Sequence, residues 1–189
     1  MVEEVVDLKL AILGDTLVGK SALTFRFINN KFPTEHDTTI EDQYSITQQF
    51  EGFTCRLQIL DTAGQDDYQT MLDMWINGSD GFLLIYSITD SDSFESAKTR
   101  VERIRNNKGF TDTIVMAGNK CDLEPERKVN RAEVEAYCRE QKIGFMECSA
   151  LNQINDREIF YAVTRLLLKK KYPDRFKTEE EPKKNCFCF

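Results

Sequence analysis

The chain has 189 residues, of which 41% are hydrophobic, so it is long enough for one complete core and too short for two comfortable domains. A formal net charge of −7 and a pI near 4.9 argue against a general nucleic-acid-binding protein, which would be basic overall. No run approaches eighteen apolar residues, and Glu3 and Glu4 stand where a secretory signal would be positive, so we expect a cytosolic protein.

Short apolar runs alternate with amphipathic stretches along the chain, and this alternation is typical of an α/β domain with a largely parallel sheet. Residues 44–60 differ, because two strand-like runs meet there at Glu51-Gly52, a two-residue connection of the kind that hairpins use. An antiparallel edge strand is therefore predicted at that point. The remaining runs, each bounded by polar residues or glycine as buried strands are, cover residues 8–13, 81–87, 113–117 and 144–148.

Three helix starts are predicted by capping boxes, in which Asp or Asn is followed three positions later by Glu. The pairs are Asp92 with Glu95, Asn130 with Glu133 and Asn155 with Glu158. Apolar residues recur at helical spacing after each pair, which indicates a stripe facing the core. Met71 and Trp75, four residues apart, are also interpreted as core residues, with a hydrophobic effector patch as the alternative.

A phosphate-binding sequence follows the first predicted strand directly. Residues 14–21, Gly-Asp-Thr-Leu-Val-Gly-Lys-Ser, match the pattern G-x-x-x-x-G-K-[ST] in full. In such a loop the backbone N–H groups and the start of the next helix favour phosphate, the lysine reaches the outer phosphates and the hydroxyl can ligate Mg²⁺. The nucleotide-binding residues predicted here are Gly14, Thr16, Leu17, Val18, Gly19, Lys20, Ser21 and Ala22.

A second signal lies at the end of another apolar run, where Asp61 is followed by Thr62-Ala63-Gly64-Gln65. Asp61 is placed to support Mg²⁺. Gly64 can offer its N–H to a terminal phosphate with no Cβ in the way, and Gln65 can orient an attacking water. These residues make the binding loop a candidate hydrolase.

A third signal concerns the base. Asp122 follows a buried run, and a carboxylate there can accept two N–H bonds from a guanine edge that adenine does not present. The same site includes backbone N–H groups near the guanine oxygen. Its predicted residues are Asn119, Lys120, Asp122, Ser149, Ala150 and Leu151. They favour guanine and count against an ATP-dependent kinase that shares only the phosphate loop.

These segments, in this order and spacing, resemble the Ras superfamily of small GTPases over about residues 5–170, in particular its Ras and Rap branch. The resemblance implies a monomeric GTP hydrolase that binds GTP or GDP with Mg²⁺. It also implies a single P-loop NTPase domain over residues 1–170. That domain would have a six-stranded, mostly parallel sheet with one antiparallel edge strand and helices on both faces.

Residues 37–44 resemble the first switch of that family. The resemblance implies that Thr39 ligates Mg²⁺ and contacts the γ-phosphate, so that it acts in hydrolysis with Lys20 and Gln65. It further implies that Phe32 packs on the guanine. The implied effector contacts are Ile40, Glu41, Asp42 and Tyr44. His36 departs from the family pattern and is interpreted as an exposed loop residue, with a γ-phosphate contact as the alternative.

Thr16 stands where most Ras and Rap proteins have glycine. A side chain there can crowd the space that Gln65 and an incoming arginine finger need. We expect a switch that signals from a membrane, hydrolyses GTP slowly, and depends on an exchange factor and an activating protein in trans. A hydrolysis-poor, GTP-bound adaptor and a Rab-like trafficking GTPase are the alternatives.

Residues 171–189 are predicted to be a flexible basic tail, because the apolar pattern stops near Lys169. The chain ends Cys186-Phe187-Cys188-Phe189, which resembles a prenylation signal or the paired cysteines of Rab proteins. Lipid on Cys186, Cys188 or both would hold the protein on the cytoplasmic face of a membrane, expected to be the plasma membrane. The other four cysteines are interpreted as reduced thiols: Cys55, Cys121, Cys138 and Cys148.

Overall fold

Six strands form one sheet. This computed structural model describes residues 5–33, 41–62, 64, 69–109 and 111–176. The strands are β1 Val5–Leu13, β2 Glu41–Phe50, β3 Phe53–Thr62, β4 Gly81–Ser87, β5 Ile114–Asn119 and β6 Gly144–Glu147. Their order in the sheet is β2-β3-β1-β4-β5-β6, and every neighbouring pair is parallel except β2 with β3. The predicted mostly parallel sheet with one antiparallel edge strand is confirmed.

Helices cover both faces of the sheet, as predicted. They are α1 Lys20–Asn29, α2 Gln69–Gly78, α3 Ser91–Lys108, α4 Arg131–Gln141 and α5 Glu158–Lys171. One apolar cluster lies under α1 and α5, and a second lies under α2, α3 and α4. Among the described residues, no helix is both long enough and apolar enough to cross a membrane.

The hairpin between β2 and β3 turns at the predicted residues. Glu51 and Gly52 have φ values of 47° and 79°, which is the left-handed backbone that two-residue hairpin turns need. Phe50 and Phe53 pair directly across this turn. The register places the other end of β2, at Glu41, beside Thr62.

One predicted helix cap is confirmed and two are wrong. Asn130 caps α4 and accepts a hydrogen bond from the Ala132 N–H at 2.9 Å. The cap of α3 is Asp90 rather than Asp92, since its carboxylate accepts from the Asp92 N–H and the helix begins one residue later. Asn155 does not cap α5, because its side chain donates instead to the carbonyl O of Glu147 at 2.7 Å.

The chain stays packed beyond residue 170, the boundary set from the sequence. Helix α5 continues to Lys171, and a short 3₁₀ helix, Pro173–Phe176, follows it. Phe53 contacts this segment, with ring centroids 4.9 Å from Tyr172 and 6.4 Å from Phe176. Isolated aromatic residues among polar ones carry no helical or strand period, so the sequence pattern did not reveal this contact.

The cysteines within the described ranges are free thiols, as predicted. Cys55, Cys138 and Cys148 are buried, and Cys121 is half-buried. Burial raises the pKa of the Cys148 thiol well above its usual value. This thiol is therefore a core residue and not a reactive group.

Candidate nucleotide-binding site

The phosphate loop connects β1 to α1 and lies at the carboxyl edge of the sheet. Gly19 closes the loop with φ 97°, and a Cβ on it would lie 2.3 Å from Nδ2 of Asn119. Only glycine fits this backbone and this close approach. The loop therefore places its backbone N–H groups at the start of α1, where phosphate binding is favoured.

Lys20 is a buried cation at the start of α1. It is 6% exposed, and its Nζ donates to the carbonyl O of Asp15 at 2.8 Å. Burial lowers the pKa of Lys20 to about 8, although the charges of Asp61 and Asp15 act in the opposite direction. A buried ammonium beside a carbonyl and carboxylates is suited to receive phosphate oxygens.

Asp61 is a buried anion near the end of β3, with no exposed surface. Burial raises its pKa to about 6, against the opposing effects of the Ser21 hydroxyl and the Lys20 charge. Within the described ranges neither carboxylate oxygen has a well-formed hydrogen bond. A buried carboxylate and a nearby hydroxyl are the hard oxygen ligands that Mg²⁺ takes, so Ser21 and Asp61 fit that ion.

Gly64 lies directly against the phosphate loop. A Cβ on Gly64 would be 2.2 Å from the Thr16 nitrogen and 2.6 Å from the Asp15 carbonyl O, so no other residue fits in this position. The Asp15–Thr16 peptide is therefore touched by two predicted phosphate ligands, Gly64 from one side and Lys20 from another.

One side-chain amide joins the phosphate loop to the predicted base site. Asn119, the last residue of β5, donates to the Val18 carbonyl O at 2.8 Å and accepts from the Ala150 N–H at 3.3 Å. Beside it, the Ser149 hydroxyl donates to the Asp122 carboxylate. The residues predicted to bind phosphate and those predicted to recognise guanine thus form one continuous edge.

Comparison with known proteins agrees with this geometry. A family model described as the Ras family matches residues 9–169. The chain is also similar to Ras-like protein rasB of Dictyostelium discoideum, with 41% identity over 177 residues, which is 92% of this chain and 89% of that protein. The chain belongs to the Ras family. It is a small GTPase, because members of the Ras family bind GTP and GDP with Mg²⁺ and hydrolyse GTP.

The Ras-family fold brings three predicted segments together, namely residues 14–22, Asp61 with Gly64, and residues 119–122 with 149–151. The assignment of each residue to a phosphate, to Mg²⁺ or to the base stays a prediction. Several predicted residues lie outside the part of the chain that the structure describes: Thr39, Ile40, Gln65, Cys186 and Cys188, together with His36.

Apolar side chains stand at the rim of the site. Leu17 is 85% exposed with φ 64°, a backbone conformation that leucine seldom adopts, and Leu151 is 58% exposed. Phe32, predicted to pack on the guanine, is half-buried against the α1–α5 core cluster. Lys120 turns the chain after β5 with φ 65°.

The predicted effector residues Glu41, Asp42 and Tyr44 lie on β2, the edge strand of the sheet. Glu41 is already bonded within the protein, since it accepts from Nε1 of Trp75 at 2.8 Å and from Nε2 of Gln43 at 3.1 Å. Trp75 is 7% exposed and belongs to the α2–α3–α4 core cluster, so its interpretation as a core residue is confirmed.

Sequence reasoning missed one group of residues beside the site. Asp15 occupies a variable position of the phosphate-loop pattern, and its carboxylate is bonded by Ser96 and Arg100 of α3. No sequence signal marks these residues, because a polar face of a helix is usually simply solvated.

Proposed function

We propose that this Ras-family GTPase is a switch in membrane-associated signal transduction, which binds effectors in its GTP state and hydrolyses GTP slowly unless assisted. The observation that carries the proposal is the meeting of Lys20 and Gly64 at the Asp15–Thr16 peptide. Lys20 and Gly64 are far apart in the sequence and would both bind the terminal phosphate, and they already contact the same peptide.

The proposed switch depends on how the γ-phosphate would change the bonding of Lys20 and Gly64. The γ-phosphate offers Lys20 a stronger acceptor than the Asp15 carbonyl, since a charged acceptor makes the stronger hydrogen bond. It also gives the Gly64 N–H an acceptor. GTP would thereby draw Gly64 and Thr39 toward the γ-phosphate, and hydrolysis would release both.

Gln65 would orient the attacking water, and Mg²⁺ held by Ser21, Asp61 and Thr39 would offset the charge of the phosphates. Arg100, an arginine beside the loop, is held by Asp15 and Ser96 and is therefore not free to act as a finger. We accordingly expect an activating protein to supply an arginine in trans, and an exchange factor to release GDP.

Effector binding is proposed at the edge strand β2 and the residue that precedes it in the sequence, through Ile40, Glu41, Asp42 and Tyr44. An edge strand offers unpaired backbone groups to a partner strand, and its acidic residues favour a basic partner. An effector that uses Glu41 would meet a carboxylate that already accepts a hydrogen bond from Trp75 of α2.

Membrane attachment is proposed through prenylation of Cys186, Cys188 or both, which would place the GTPase on the cytoplasmic face of the plasma membrane. The described residues end at Phe176, after a cluster of basic residues at the end of α5 and in the 3₁₀ helix that follows it: Lys169, Lys170, Lys171 and Arg175. This cluster would add electrostatic attraction to an anionic leaflet. The double variant Cys186→Ser/Cys188→Ser should leave the membrane fraction of cells, whereas Cys121→Ser should remain in it.

The hydrolysis-poor adaptor is the second candidate, and the position of Thr16 favours it. The Thr16 nitrogen lies at the contact with Gly64, so the backbone of Thr16 adjoins the residue that precedes Gln65. Crowding at this point would keep GTP bound.

Single-turnover hydrolysis separates the two candidates. The protein is loaded with GTP, and phosphate release is followed for the parent and for Thr16→Gly, each with and without a Ras-type activating protein. Slow release that the activator accelerates in the parent supports a cycling switch. Release that appears only in Thr16→Gly supports the adaptor, and fast unassisted release, at roughly 10 per second, contradicts both.

A further inference from the structure

Asp15 carries its charge inside the phosphate loop, and α3 holds that charge with two residues. Nη2 of Arg100 lies 2.8 Å from Oδ1 of Asp15, and the Ser96 hydroxyl donates to the same oxygen at 2.8 Å. Nη1 of Arg100 also donates to the Ser96 hydroxyl, which closes the triangle. We call Asp15, Ser96 and Arg100 the loop clasp.

The loop clasp is largely sheltered from solvent. The side chain of Arg100 is 11% exposed and that of Asp15 is 27% exposed. Ion pairs in such surroundings are less screened by salt than surface pairs, so each charge acts over a longer distance. Helix α3 is anchored by the buried residues Phe94, Ala97 and Val101, which fixes where Arg100 stands.

The loop clasp is joined directly to the phosphate-binding lysine. Nζ of Lys20 donates to the carbonyl O of Asp15 at 2.8 Å, and the side chain of the same Asp15 is held by Arg100. A phosphate group bound by Lys20 would lie within the field of the Asp15 and Arg100 charges.

We propose that Arg100 is a positioning residue that neutralises Asp15, and that this neutralisation sets the preference of the loop for GTP over GDP. The inference rests on the guanine-nucleotide binding of the proposed function. GTP carries one more negative charge than GDP, and the additional charge lies at the γ-phosphate. An unpaired Asp15 anion beside the loop would therefore repel GTP more strongly than GDP.

The proposal predicts effects of opposite sign for the two partners. Arg100→Gln leaves Asp15 unpaired and should lower the ratio of GTP to GDP affinity by roughly fivefold. Asp15→Asn leaves an unpaired Arg100 cation and should raise the same ratio. The double variant Arg100→Gln/Asp15→Asn should return close to the parent ratio, since neither charge remains.

The test uses the full-length protein with Mg²⁺. A fluorescent GDP analogue is displaced by GDP or by a non-hydrolysable GTP analogue, and the ratio of the two affinities is measured for every variant. Arg165→Gln is the matched control. Arg165, on α5, forms a partly buried ion pair with Glu51 at 2.7 Å, away from the phosphate loop. Arg100→Lys keeps the charge with a different geometry, and it should keep the ratio within about twofold of the parent.

Three results would overturn the proposal: single variants that shift the ratio in the same direction, variants that weaken GTP and GDP equally, or an Arg100→Lys variant that behaves like Arg100→Gln. Each would mean that the clasp only supports the fold. Thermal unfolding of the GDP-bound variants identifies any that are simply destabilised, and for these the affinity ratio of the double variant decides. A parent that binds neither nucleotide would instead contradict the proposed function itself.

Discussion

Lys20 and Asp61 are buried charges of opposite sign, and burial shifts the pKa of each in the direction that favours its neutral form. The pKa of Lys20 falls to about 8 and that of Asp61 rises to about 6, so the attraction between them does not compensate for the loss of water. Charges kept at such a cost are typical of functional sites. We interpret both as groups arranged for a phosphate and a cation.

Asp61→Asn should therefore stabilise the nucleotide-free protein while it weakens Mg²⁺-dependent nucleotide binding. The raised pKa means that the folded state is penalised above about pH 6, where the carboxylate is ionised, and not below about pH 4. Urea unfolding in EDTA should show a gain of up to about 3 kcal/mol at pH 7.5. This gain should shrink as the pH falls through 6, and a gain that is independent of pH would contradict the assignment.

At the scale of elements, α3 shows how local chemistry decides where a helix starts. Asp90 precedes the helix and Asp92 lies in its first turn. Only the geometry shows that Asp90 accepts the hydrogen bond from the Asp92 N–H. Asp90→Ala should cost about 1 kcal/mol in the free energy of unfolding, as caps generally do. Asp92→Ala, the matched control, should cost clearly less in the same urea titration, and equal losses would contradict the cap at Asp90.

A buried ion pair connects α1 to the segment that leads into α5. Nε of Arg26 lies 2.9 Å from Oδ2 of Asp156, and both side chains are nearly inaccessible. Arg26→Ala should cost about 3 kcal/mol, because it leaves the Asp156 charge buried without a partner. In chemical denaturation, Arg56→Gln should cost under about 1 kcal/mol, since Arg56 pairs with Asp7 at 3.4 Å on the surface. Similar losses for the two variants would show that Asp156 finds another partner.

For the whole molecule, hydrophobic periodicity and short sequence motifs predicted the sheet, the hairpin at Glu51-Gly52 and the meeting of the phosphate and base segments. These features depend on periodicity and on short patterns whose chemistry is local. The loop clasp and the packing of Phe176 on Phe53 were not predictable in this way. Each depends on residues far apart in sequence that the completed fold brings together.

The aromatic contacts that follow α5 give a test at this scale. A chain that ends after Phe176 keeps these contacts and serves as the reference. A chain that ends after Lys170 loses the aromatic contacts of Tyr172 and Phe176 with Phe53, and it should be less stable by about 2 kcal/mol. Equal melting temperatures for the two truncated chains would mean that the contacts of Tyr172 and Phe176 with Phe53 add nothing to stability.

The hydrogen bond between Trp75 and Glu41 has a practical consequence, because Trp75 is the single tryptophan of the chain. Its ultraviolet emission originates at one known place, where α2 meets the strand proposed to bind effectors. Any rearrangement that parts the indole from the carboxylate changes the polarity around the ring and hence its fluorescence. Under the proposed switch, this fluorescence would report the nucleotide state in unlabelled samples and in real time.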